Sequence, residues 1–138
     1  MRGVTSVVES VLLAAAVILF IVGISGGLND FITTVTEQRL KNSLKIDGEK
    51  VAYAILLAKK IGGEGSGEVK IYLDLASIPE YITVNDENVV VKSGTTEVEV
   101  PLYGAGRYVN TSFRTITNAK GYDPYVLYAD GTIKLGVE

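Results

Sequence analysis

From Val11 to Leu28 the chain is almost wholly apolar, the hydrophobic segment as a whole runs from Val4 to about Leu28, and no proline occurs before Pro79. A hydrocarbon core needs roughly 20 apolar residues in a helix, so this run is long enough to span one. A cleaved secretory signal is the rival reading; the run is long for one, and no Ala-x-Ala site follows it. Gly23, Gly26 and Gly27 near its end are the places where the helix softens most easily, because each glycine costs about 1 kcal/mol relative to alanine in a helix interior. Beyond Leu28 the pattern becomes amphipathic. Phe31/Val35, Leu40/Leu44 and Val51/Ile55 recur at i,i+4, with the polar stretch Thr36-Glu37-Gln38-Arg39-Leu40-Lys41 between them. Asp47-Gly48 is a weak point inside this pattern. A pattern of such length more often packs as two or three helices. Here the missing proline and the absence of strong turn signals predict one long helix over residues 4–61, with 4–28 facing lipid or a filament core and 29–61 as its amphipathic extension.

The period then changes. Gly62-Gly63-Glu64-Gly65-Ser66-Gly67 reads as a linker over 62–67; it lacks Gly-Lys-Ser/Thr and follows a helix, so it is no phosphate loop. After it, Val69/Ile71/Leu73 alternate, and short β runs follow at 81–84, 89–92, 98–102, 108–115, 125–128 and 132–137. Asn85-Asp86-Glu87, Ser93-Gly94, Gly104 to Gly106, Lys120-Gly121 and Asp130-Gly131 separate them, the last being a type I′ hairpin signal. The fold class predicted is α+β: a long N-terminal hydrophobic helix followed by a small antiparallel β-sandwich or barrel-like domain over 68–138. About 75 residues is marginal for a core without disulfides, so packing on the long helix and on neighbouring subunits has to supply the missing burial.

Composition narrows the function classes. The 138 residues include neither cysteine nor histidine, which removes disulfides, Cys/His zinc sites, thiol nucleophiles and the usual Ser-His-Asp triad. Residues 1–61 carry seven Lys/Arg and five Asp/Glu, whereas 62–138 carry six and eleven. An acidic outer part argues against a nucleic-acid partner, because phosphates need a basic face.

Glu9 is the most pointed candidate. A carboxylate near the middle of a membrane helix costs roughly 2.5–3.5 kcal/mol, which calls for a positive partner from another copy; the plain alternative is a headgroup position nine residues into the chain. Glu97 and Glu99 share one strand face and read as a solvated face in preference to a calcium or acid–base pair. Asp86, Glu87, Asp123 and Asp130 fall in turns, where Asp is favoured for backbone reasons, and no Asp-x-Asp-x-Asp-Gly loop occurs. No metal site, cofactor or catalytic residue is predicted, and no enzymatic activity. Asn110-Thr111-Ser112 is a sequon, making Asn110 a candidate N-glycosylation site.

Arg2-Gly3-Val4-Thr5-Ser6-Val7-Val8-Glu9-Ser10-Val11-Leu12-Leu13 resembles the N-terminus of archaeal type IV pilin-like proteins, the class III signal peptide family. There a basic residue and a glycine precede an aliphatic residue, a small hydroxyl residue and an unbroken aliphatic helix. The resemblance implies that a prepilin peptidase cuts between Gly3 and Val4, making residues 1–3 a leader and Glu9 the sixth mature residue. It also implies that the first helix polymerises into a filament core while the β domain faces out. On that reading Val4, Glu9, Leu12, Leu13, Ile18, Phe20 and Ile21 belong to the core or membrane helix, and Gly26 and Gly27 give it flexibility.

Two functions are therefore expected from different classes. The first is a structural subunit of an archaeal type IV pilus-like extracellular filament. It is a homopolymer at the cell surface, held in the membrane before assembly, with the β domain exposed for adhesion. The second is a membrane-anchored accessory of the archaeal filament or its motor, whose β domain binds the cell envelope or surface layer.

Overall fold

A computed structural model of the chain describes residues 2–65, 67–76 and 78–138, the Arg2 side chain excepted. Met1, the start of the predicted leader, lies outside the described residues. The architecture is one long α-helix followed by two small antiparallel sheets. The helix α1 runs Arg2–Glu64. The strands are β1 (Val69–Tyr72), β2 (Glu80–Val84), β3 (Asn88–Ser93), β4 (Thr96–Pro101), β5 (Thr115–Asn118), β6 (Pro124–Ala129) and β7 (Thr132–Val137). The chain divides into two units. One is the helix up to Gln38; the other is Arg39–Glu138, in which the last part of α1 folds with all seven strands.

In the second unit the strands form a sheet of order β1-β6-β7 and another of order β4-β3-β2-β5. The chain enters the first sheet, crosses to the second after β1, and returns after β5. The β6–β7 hairpin closes at Asp130-Gly131, both with left-handed φ (53° and 80°), as the type I′ signal requires. Alternation does what the period-2 pattern demands: in β2, Glu80, Ile82 and Val84 point inward while Tyr81 and Thr83 face water.

The core is a single cluster built from helix and sheets together. Leu44, Val51, Ala54, Ile55 and Ala58 fall on one side of α1 and are buried with Ile82, Val89, Val91 and Val100 of one sheet and Val126, Ile133 and Leu135 of the other. Two helix glycines show how closely the sheets approach. A Cβ on Gly48 would stand 2.8 Å from Val100 Cγ2, and one on Gly62 would run into the Tyr128 ring. The helix thus packs against the four-stranded sheet near Gly48 and against the three-stranded sheet near Gly62, and supplies the burial that the strands by themselves lack.

Three sequence-based boundaries shift. The helix predicted to stop at 61 continues to Glu64, and the Tyr128 ring packs where a side chain at Gly62 would stand; the connection to β1 therefore starts at Gly65. The helix is also unbroken through Asp47-Gly48 and through Gly26-Gly27. Finally, the run 108–115 is not a strand. It holds the end of a 3-10 turn (Ala105–Tyr108), a lone bridge from Val109 to Ile133, and a second 3-10 turn (Thr111–Phe113) capped by Asn110. The Asn110 side chain accepts the Ser112 N–H at 2.9 Å, which bends the chain away from an extended path.

Candidate functional site: a bare apolar helix

In the first unit the sequence offers α1 no polar face. Twelve residues from Val11 to Val22 are apolar without interruption, so at 3.6 residues per turn they cover every side of the cylinder. A helix that is apolar all round is stable only inside a large protein or a membrane. Here it is covered by nothing: Val4, Leu12, Leu13, Ile18, Phe20 and Ile21 are all exposed, as are Leu19, Val22, Ile24 and Leu28. The helix is long and apolar enough to cross a membrane, and its most apolar window is wholly unburied.

Three hydroxyls on this part of the helix bond one turn back. Ser10 Oγ donates to the Ser6 carbonyl at 2.9 Å, and Thr34 and Thr36 return to the Asp30 and Ile32 carbonyls at 2.9 and 2.8 Å. Glu9 is exposed, and neither ion pair recorded among the described residues, Lys70–Glu138 or Arg114–Asp86, involves it. Gly23 and Gly27 stand four residues apart on one helix face, and a Cβ at either would meet nothing within 4 Å. Small-xxx-small spacing of this kind lets a second helix backbone approach closely. The sequence marks Gly23, Gly26 and Gly27 for helix softening; the spacing of Gly23 from Gly27 adds a packing role that flexibility alone does not imply.

In the second unit the most constrained polar group is one that the sequence reading passed over. Asp47 on α1 and Glu80 at the start of β2 are each only 1% exposed. The Ala76 N–H donates to both Asp47 oxygens at 3.1 Å. Asn118, at the end of β5, donates to the Ala76 carbonyl at 2.6 Å and to Glu80 Oε1 at 3.5 Å. Glu80 Oε2 is buried without a partner when the carboxyl is ionised. Burial above all, then the hydrogen bond and charge of Asp47, push the Glu80 carboxyl from 4.5 up to about 8, against a smaller pull from Asn118. Glu80 therefore holds its proton at neutral pH and donates it to Asp47. The cluster joins the helix, the segment after β1, β2 and β5.

The other sequence-predicted positions lie apart from both features. Asn110 is half-buried, with its Oδ1 engaged as the cap already described and its N–H donating to the Ile133 carbonyl at 2.8 Å. Glu97 and Glu99 are exposed on β4, a sheet edge. Among the described residues no group of three His, Cys, Asp or Glu gathers as a metal-holding cluster. No protein-family model, no curated protein and no solved structure matches this chain.

Proposed function

We propose that this chain is the repeating structural subunit of an archaeal type IV pilus-like extracellular filament. Its residues from Val4 to Leu28 form the filament core, and the unit from Arg39 onward is displayed outside for surface adhesion. The observation that carries this reading is the helix with no polar face and no cover, continuous in sequence with an independently packed domain. Before assembly the membrane satisfies that surface, with Arg2 on the cytoplasmic side by the positive-inside tendency. In lipid there is no hydrophobic drive between helices, so association depends on close packing, for which Gly23 and Gly27 leave room. Outside lipid the same surface has to be buried by other copies. Fourteen large apolar side chains from Val4 to Leu28 are exposed. At about 1.5–3 kcal/mol each, full burial contributes roughly 20–40 kcal/mol as an upper bound.

The experiment is the intact mass and N-terminal residue of the protein recovered from its cells, with electron microscopy of the shed material. A start at Val4 together with polymers supports the filament subunit and a prepilin peptidase as its processing partner. An intact Met1 on a membrane-bound monomer or dimer overturns it. The chain then reads as a single-span anchor whose outer domain binds the envelope or surface layer, a role the apolar helix serves equally well.

A further inference from the structure

We propose that the buried carboxyls of Asp47 and Glu80 form a proton-operated latch that ties the last part of α1 to the chain at Ala76. The latch is closed while Glu80 keeps its proton and is released when both groups are charged. It lies wholly within the unit from Arg39 onward, so it stands whether or not the chain builds filaments.

The two carboxyls come from different elements, Asp47 from the helix and Glu80 from β2, and both side chains are enclosed. Taking a charge out of water is costly unless an opposite charge or several hydrogen bonds replace the water. No opposite charge is present: the two ion pairs recorded among the described residues, Lys70–Glu138 and Arg114–Asp86, lie elsewhere. Donors are also too few for two carboxylates. Asp47 takes the Ala76 N–H on both oxygens, Asn118 Nδ2 stands 3.5 Å from Glu80 Oε1, and Glu80 Oε2 has nothing to accept from. Such a site holds one negative charge in place of two. Burial first, and then the hydrogen bond and charge of Asp47, keep the proton on Glu80 and push its carboxyl up to about 8.

The surrounding elements add no competing charge. On α1, the Lys50 ammonium is taken by the Asp74 carbonyl, and Glu49 is exposed. After β1, Asp74 is exposed. On β3, Lys92 is exposed opposite Tyr81, and Ser93 donates to the Pro79 carbonyl. From β5 comes the uncharged Asn118, and beyond it Lys120 and Asp123 are exposed. Asp47 and Asn118 are the side chains that act on the Glu80 carboxyl.

Loss of the Glu80 proton sets two negative charges against each other in a dry site. Repulsion parts Asp47 from Glu80, and the Ala76 N–H loses its acceptor. Asn118 holds Ala76 from the carbonyl side at 2.6 Å, and the new carboxylate draws that amide away. The rest of the fold need not open, because Leu44 and Val51, one turn to either side of Asp47, belong to an apolar core. Water has a way in as well. Ala76 and Asn118 line a cavity of about 550 Å³ that exposed Asp74, Lys120, Tyr122 and Asp123 also line.

The test is a carbon-13 and amide NMR titration of the full-length protein in detergent from pH 5 to 10. The Glu80 carboxyl carbon is expected to titrate with a midpoint near 8, and the Ala76 amide and Asn118 side-chain amide to shift with the same midpoint. Protection of the Ala76 amide, corrected for the intrinsic pH dependence of exchange, is expected to fall roughly tenfold or more across that range. The resonances of Ile82, Val91 and Val126 are expected to keep their places. Glu80→Gln is expected to abolish the step and leave Ala76 flat. Asp47→Asn removes the charge at nearly constant size and is expected to lower the Glu80 midpoint. A Glu80 midpoint at or below 6, Ala76 shifts that ignore it, or a step that survives in Glu80→Gln would overturn the latch. Collapse of the whole spectrum at the same midpoint would overturn it too, since that is global unfolding. If Glu80→Gln does not fold, the unsubstituted protein and Asp47→Asn decide between these outcomes.

Discussion

Glu80 shows how one buried atom couples fold to pH. Its Oε2 is buried with no hydrogen-bond partner to accept from, and burial together with Asp47 favours the protonated carboxyl. The folded value of about 8 lies above the unfolded 4.5, so the unfolded chain releases this proton first as pH rises. The stabilisation is complete below about pH 4.5 and is lost as pH climbs to and through about 8. With each pKa unit equal to about 1.4 kcal/mol, the loss is on the order of a few kcal/mol. Urea unfolding of the detergent-solubilised protein at pH 5, 7 and 9 is expected to show falling midpoints. Glu80→Gln keeps an N–H for Asp47 and has no proton to lose, so its midpoint is expected to stay flatter across the same range. An equal fall in both proteins would remove Glu80 as the source. Asp47→Ala orphans the Ala76 N–H and the Glu80 proton together, and is expected to lower stability by roughly 2–4 kcal/mol at pH 6. None of this was legible in the sequence. Asp47 read as a weak point in a helix, and its partners Ala76, Glu80 and Asn118 are brought to it only by tertiary packing.

At the level of elements, the helix glycines separate into those that touch something and those that do not. Gly48→Ala and Gly62→Ala push a methyl into Val100 and the Tyr128 ring, and each is expected to destabilise the fold by about 1–3 kcal/mol. Gly63→Ala enters open space inside the same helix and is expected to stabilise by about 0.5–1 kcal/mol. Thermal melting of the three variants checks the order; a stable Gly48→Ala would show that the sheet can yield there. Gly23→Leu tests the other class. It keeps the segment apolar, so membrane retention should persist, while a branched side chain blocks close helix approach. On the proposed filament reading, sedimentable polymer is expected to disappear, and undiminished polymer would exclude Gly23 from the packing. The long helix and the two-sheet region were legible because apolar runs and alternation carry their own period. The run Tyr108 to Thr115 misled because its β-favouring residues surround Asn110, whose side chain captures the Ser112 N–H and turns the backbone. The true end of the helix was hidden because Gly62 and Gly63 signal a stop locally, whereas in the fold glycine at 62 makes room for the Tyr128 ring.

For the whole molecule, the boundary that matters falls in the middle of the helix and not at the glycine-rich segment. The sequence pattern divides the chain where helix gives way to strand, near 62. The packing divides it at Arg39, because Leu44, Val51, Ile55 and Ala58 are core residues of the same cluster as both sheets. A fragment of residues 39–138 carries that entire cluster and none of the uncovered apolar run from Val4 to Leu28. It is expected to be soluble without detergent, to unfold cooperatively, and to show the same pH-dependent fall in stability as the full chain, since Asp47, Ala76, Glu80 and Asn118 are all retained. A fragment of residues 65–138 keeps every strand but loses Leu44, Val51 and Ile55, each fully buried in the intact protein. At about 1.5–3 kcal/mol per buried aliphatic side chain, those three contribute roughly 5–9 kcal/mol. That is comparable to the whole net stability of a small domain, about 5–15 kcal/mol. The shorter fragment is therefore expected to lack a cooperative transition by circular dichroism and to show poorly dispersed amide resonances. A well-folded 65–138 would mean that the sheets hold their own core and that the helix is merely attached. A folded 39–138 beside an unfolded 65–138 would establish that the element bearing the apolar run also completes the two-sheet domain, so that strain on the helix bears directly on the fold of the unit from Arg39 onward.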